Sequence, residues 1–165
     1  MTRRHCEGFA KGLKPLATDN GIRHICNMEH RLDVIDRTVS KTWEWINRIS
    51  AGADVPDPHH AYQLLRSVLD TLRDRVEPDM AAHVAAQLPL LVRGIFYEGW
   101  DPSKTPVRMS LKQFLSRVQR DAGLQSPQQA ETGARAVISL CWDELGPGTM
   151  DHLMSVLSND FAVIF

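Results

Sequence analysis

Cysteine is scarce in this sequence. Cys6, Cys26 and Cys141 are odd in number and share no close spacing, so no disulfide framework organises the chain and a reducing cytoplasm fits it better. Long apolar runs are also missing, and none approaches the ~20 residues that a membrane span requires. Behind Arg3 and Arg4 there is no apolar segment, which excludes a secretory signal. Charge of one sign is lacking too, since the net charge is −1. What basic excess exists lies in residues 1–31, with Arg3, Arg4, Lys11, Lys14, Arg23 and Arg31 against three acids. The remainder is mildly acidic, and a nucleic-acid groove needs a basic stripe, so no nucleic-acid partner is expected.

The motifs of common chemistry are absent as well. The chain contains no phosphate loop, dinucleotide fingerprint, nucleophile elbow or His-Glu-x-x-His zinc motif. No Glu-x-x-His occurs, so a di-iron bundle is excluded. His5, Cys6, His24, Cys26 and His30 are the right atom types for zinc, but their spacing lacks the paired-cysteine geometry of a strong zinc signal. No metal, cofactor or catalytic residue is therefore assigned, and the sequence leans away from an enzyme.

What is present is an internal repeat. Sliding the chain by sixty-nine positions aligns Trp45–Phe96 with Phe114–Phe165 without a gap. Pro58 falls on Pro127, Pro78 on Pro147, Leu88 on Leu157 and Phe96 on Phe165, with the apolar periods in phase. Arg48/Arg117, Arg66/Arg135, Asp74/Asp143 and His83/His152 are matched polar pairs. They could form two symmetric sites. The reading preferred here is that they fasten helices, because packing devices must persist in both copies.

The expected fold is all-α, a tandem duplication of a three-to-four-helix unit packed as one compact helical domain over 28–165. Unit one covers about 32–99, a connector about 100–109, and unit two 110–165. Ile35, Val39, Thr42, Ile46 and Ile49 recur at spacings of four and three, one stripe of an amphipathic helix that Gly52 and Ala53 end. Asp57 and Ser126 stand at N-cap positions before Pro58 and Pro127, where the missing N–H costs nothing. Ser110 is the expected cap of the helix that follows the connector. Ala61, Leu64, Leu65, Val68, Leu69, Leu72 and Val76 supply the buried face of the second helix. Cys141 lies on the corresponding face of its copy and reads as a small core residue. Met80, Val84 and Leu88 mark a third helix, and Pro89 should kink it or start a fourth at Leu90–Tyr97. Phe161, Val163, Ile164 and Phe165 are expected to pack in the core or on a partner subunit. His59 and His60 face solvent by periodicity.

Residues 1–27 differ in pattern, and read as a poorly structured or dispensable extension. One reading starts natural translation at Met28, which the first strong helix stripe follows.

Gln87–Trp100, read as QLPLLVRGIFYEGW, carries a resemblance to a bacterial family labelled domain of unknown function 2267. The preceding helix, with Leu64, Val68, Leu72 and Arg75, and the half from Phe114 to Phe165 extend it to about residues 32–165. The resemblance implies an α-helical protein of bacteria and transfers no functional residues.

Trp43 aligns with Lys112, a polar position, and should be partly exposed, whereas Trp45 aligns with Phe114 and should be core. Trp100 has no counterpart; with Tyr97 it should line the seam between the units or anchor a partner. The expectation is a cytoplasmic, non-enzymatic protein that binds another protein or self-associates, with Trp43, Arg93, Tyr97, Trp100 and Phe165 as interaction or groove residues. The alternative is a small-molecule or cofactor-binding bundle with its ligand between the units.

Overall fold

The computed structural model describes the backbone from residue 19 and the side chains from residue 33. The histidine and cysteine cluster at His5, Cys6, His24, Cys26 and His30, and the question of Met28 as a start, lie outside the described residues. Among the described residues there are seven α-helices, two short 3₁₀ helices and no strand. In chain order they are α1 (Asp19–Gly52), α2 (Pro58–Arg75), α3 (Pro78–Gln87), α4 (Leu90–Tyr97), α5 (Leu111–Asp121), α6 (Pro127–Glu144) and α7 (Pro147–Val156). The 3₁₀ helices are Pro102–Lys104, in the connector, and Asn159–Val163. Chain contacts divide after Arg37, and Thr38–Phe165 forms one compact body.

The caps are where sequence chemistry places them. The Asp57 carboxylate accepts from the His59 N–H, and the Ser126 hydroxyl accepts from the Gln129 N–H. Ser110 and Gln113 form a reciprocal capping box at the start of α5, which satisfies two donors that the helix leaves orphaned. Pro78 and Pro147 open α3 and α7. Pro89 does not kink α3 but ends it, in extended backbone that leads into α4.

Element boundaries recur at the sixty-nine-residue offset. α6 starts and ends at the counterparts of the α2 termini, α7 does so for α3, and Asp121 ends α5 where Gly52 ends α1. After these two helices the chain turns the same way. Gly123 has φ +67° and Asp54, at the equivalent position, has φ +53°. In each turn the next N–H reaches back to a carbonyl of the last helical turn, Val55 to Ser50 at 3.0 Å and Leu124 to Gln119 at 2.9 Å. This is a left-handed C-cap, with glycine after α5 and aspartate after α1.

One core runs through the body. Trp45, Phe96, Phe114 and Phe161 are its largest fully buried side chains, packed among the Leu64, Leu65, Leu69 face of α2 and Val137 and Ile138 of α6. α2 packs on α4, α5 and α6; α6 packs on α5 and α7; α3 packs on α4 and α7. Cys141 is core, as the periodicity predicts, and burial pushes its thiol up to about 12.

Burial is uneven along two apolar runs. The stripe on α1 is buried at Ile46 and Ile49, beside buried Trp45, whereas Ile35 is 55% and Val39 40% exposed. A helical period marks an apolar face; burial also needs an element to cover it, which sequence spacing does not supply. In the C-terminal run, Phe161 and Ile164 are buried and Phe165 is half-buried, but Val163 is exposed. The 3₁₀ turn repeats every three residues, so 161 and 164 share a face that 163 does not.

Candidate functional site

The five residues expected to form an interaction surface or groove occupy different settings. Trp43 is 51% exposed on α1, in a shallow concavity with Ser40, Glu44, Asn47, Arg48 and Ala51. Tyr97 and Trp100 stack on each other, with ring centroids 5.3 Å apart and planes 26° from parallel, and Tyr97 also meets Phe96 edge-on. Both are packed partly against the core. The Arg93 guanidinium donates through Nη2 to the carbonyls of Ala86 (3.0 Å) and Leu88 (3.1 Å), which closes the end of α3. Phe165 lines a small cleft with Met154, Leu157 and Phe161. Of the five, only Tyr97 and Trp100 are in ring contact.

The matched polar residues are brought together crosswise. Arg48 pairs with Asp143 and, at 2.9 Å, with Glu144; Arg117 pairs with Asp74 at 2.6 Å. Each arginine thus reaches the aspartate of the other half, and the sixty-nine-residue shift that maps Arg48 onto Arg117 also relates Asp74 to Asp143. Lys41 joins the first group through Glu144 at 3.1 Å and Glu44 at 2.9 Å, hydrogen bonds that raise its pKa. Arg66 instead pairs with Glu98 at 3.2 Å, and Arg135, its counterpart at the sixty-nine-residue offset, with Glu131 at 2.9 Å. His83 lies 3.2 Å from the Thr149 hydroxyl, and His152 is exposed. No arrangement of Arg, Asp and His recurs as a site.

Gln87 completes the fastening of α3 to α7. Its side-chain oxygen accepts from the Gly146 N–H at 2.8 Å, and its amide nitrogen donates to the Thr149 hydroxyl. Gly133 of α6 lies against the Leu64 side chain of α2.

Sequence reasoning missed Arg73, which is buried. Its Nη1 donates to the carbonyl of Phe96 and to Asp70 (3.1 Å), and its Nη2 to Asp74 (2.8 Å). One guanidinium therefore ties α2 to the end of α4. The signal was available: Arg73 stands four residues after Leu69 and three before Val76, on the buried stripe. Beside it, burial pushes Asp70 up to about 6, against the opposing pull of Arg73 and Arg66.

Among the described residues no three His, Cys, Asp or Glu side chains converge as a metal-holding group, and no helix is long and apolar enough to cross a membrane. The arrangement is suited to holding helices together. A family described as "Uncharacterized conserved protein (DUF2267)" matches residues 42–164, and no curated protein matches the chain.

Proposed function

From a chain that belongs to the DUF2267 family, we propose a non-enzymatic helical scaffold that binds another protein or self-associates through the face of α1 bearing Trp43. The observation that carries this reading is the exposure of Trp43 on an ordered helix, next to buried Trp45. Large aromatics at half-exposed positions are the usual anchors of protein interfaces. Arg48, beside it in the same concavity, adds a second residue type enriched at such anchors.

We read the scaffold as a tandem duplication with its repeats interlocked. The shared helix boundaries, the two left-handed caps and the crosswise arginine–aspartate pairs support this. α5 of the second repeat packs on α2 of the first. Reciprocally, Gly52 near the end of α1 lies against Ala136 of α6, close enough that an added Cβ would stand 3.2 Å from the Ala136 methyl.

A ligand held by Arg93, Tyr97 and Trp100 has less support. The two rings cover each other, and Arg93 is engaged by backbone carbonyls.

The test is light scattering after size exclusion over a range of concentrations, with pull-down by the full chain, on wild type and Trp43→Glu. We expect a concentration-dependent oligomer or a retained partner, lost in Trp43→Glu with an unchanged Tm. A strict monomer that retains no partner, or a Trp43→Glu variant that associates like wild type, overturns the proposal.

A further inference from the structure

α1 is long for what it buries. It runs for 34 residues, yet among the described residues only Trp45, Ile46 and Ile49 of this helix are covered. The apolar pattern does not stop where burial does. Ile25, Met28, Leu32, Ile35, Val39 and Thr42 recur at alternating spacings of three and four, and only Thr42 is polar. That is a heptad repeat, with residues 25, 32 and 39 at a and residues 28, 35 and 42 at d. Residues 25–32 are placed by register alone. Of the others, Ile35 is 55% and Val39 40% exposed, and Trp43, at the flanking e position, is 51% exposed.

This open stripe is not the core-facing one. At 3.6 residues per turn, Val39 and Trp43 lie about 90° around the helix from the mean direction of Trp45, Ile46 and Ile49. A second helix laid along the stripe therefore runs beside the packed face of α1 and displaces nothing from it.

The flanking charges select the occupant. In a parallel pair in register, a g residue of one strand faces the e residue five positions later on the other. Arg31 is at g and Asp36 at e, so each strand sets a basic position against an acidic one, twice in a two-fold pair. Asp36 is exposed and enters no ion pair among the described residues. Position 38, at the next g, faces Trp43 in the same way. An antiparallel pair sets e against e, which brings the acids Glu29 and Asp36 to acids.

We infer that α1 docks along residues 25–43 on α1 of a second copy, parallel and in register, as a short two-stranded coiled coil. Ile35 and Val39 form the described part of the apolar seam, and Trp43 closes its C-terminal end against position 38 of the other strand. The contact is isologous, each chain offering the same stripe with complementary flanks. This inference rests on the reading that the Trp43 face of α1 binds protein, and it names the partner.

The test is sedimentation of the full chain over a range of concentrations, with variants on and beside the seam. Wild type should form a dimer. Ile35→Asp should raise its dissociation constant on the order of 100-fold, with Tm unchanged at a concentration where both proteins are monomeric. Arg31→Glu and Asp36→Arg should each weaken the dimer about tenfold, and the two variants mixed should pair with each other as tightly as wild type. Ile35→Cys and Val39→Cys, each combined with Cys6→Ser and Cys26→Ser, should both yield a disulfide-linked dimer on mild oxidation. An antiparallel pair can bring at most one of these positions onto its own copy. A monomeric wild type overturns the inference. So does a dimer that Ile35→Asp leaves intact, that crosslinks at fewer than both cysteines, or that the mixed charge variants do not restore. A monomer that still retains a different protein, lost in Trp43→Glu, removes the second copy and leaves the parent reading standing.

Discussion

At Gly133 the helix has room for a hydrogen and nothing larger. A Cβ built there would stand 2.6 Å from both terminal methyls of Leu64. Gly133 and Leu64 are counterparts at the sixty-nine-residue offset, and they meet face to face. Gly133→Ala should destabilise the protein by about 1–3 kcal/mol in urea unfolding, the usual cost of overpacking. Leu64→Ala alone leaves a cavity, at about 2–5 kcal/mol. The double variant should cost clearly less than the sum, because the added methyl enters the space that Leu64 vacates.

Asp70 makes a prediction about pH. Its folded pKa is about 6, raised chiefly by burial above the ordinary 3.8 of an aspartate. Between these values the folded state holds more protons than the unfolded state, so this group makes stability fall as pH rises from about 4 to 6. Asp70→Asn should remove that component. Chemical denaturation at pH 4, 5, 6 and 7 should therefore show a flatter or rising profile in the variant; an unchanged slope would count against a buried, raised Asp70. Periodicity identified neither Gly133 nor Asp70. A glycine amid apolar residues looks like a weak helix former, and an aspartate next to the buried stripe looks solvated, until a second helix is seen against each.

On the scale of elements, the helix ends were the legible part. Asp57, Ser110 and Ser126 cap as their types dictate, because capping is a local bond between a side chain and N–H groups two or three residues away. Gly52 was legible only as a helix end. It is the last residue of α1, and its small size serves the approach of Ala136 rather than a turn. The residue with positive φ is Asp54, which fills the place that Gly123 takes after α5. An aspartate tolerates this conformation at some cost, and glycine adopts it freely. Asp54→Gly should raise stability by roughly 0.5–1 kcal/mol, read as a higher urea midpoint with unchanged slope. The same substitution at Asp57, an N-cap in extended backbone, should not stabilise, which separates the cap argument from a general effect of removing charge.

For the whole molecule, the informative bonds are the two crosswise ion pairs. They are equivalent in sequence and unequal in setting. In the Arg117–Asp74 pair the side chains are 29% and 15% exposed; in Arg48–Asp143 they are 39% and 58% exposed. Water screens the second pair and competes for it, so its coupling in a double-mutant cycle should lie within about 0–1 kcal/mol. The Arg117–Asp74 coupling should be the larger, since Asp74 also faces Arg73. Equal couplings would mean that burial does not distinguish the two ends of the scaffold. Trp43 belongs to this scale as well, because its exposure has meaning only against a body whose other large aromatic side chains are mostly covered.

Sequence by itself determined that the described residues are all-helical, where most helices begin and end, and which residues of α2, α3 and α6 face inward. Those properties follow from local hydrogen bonding and from a period of 3.6 residues, both written along the chain. The tertiary structure decided what each face meets. It left Ile35 and Val39 exposed, joined Arg48 and Arg117 each to the other half's aspartate, turned Arg73 inward and opened a cleft at Ala162. These outcomes depend on which helix packs against which, a relation between residues distant in sequence that no local period records.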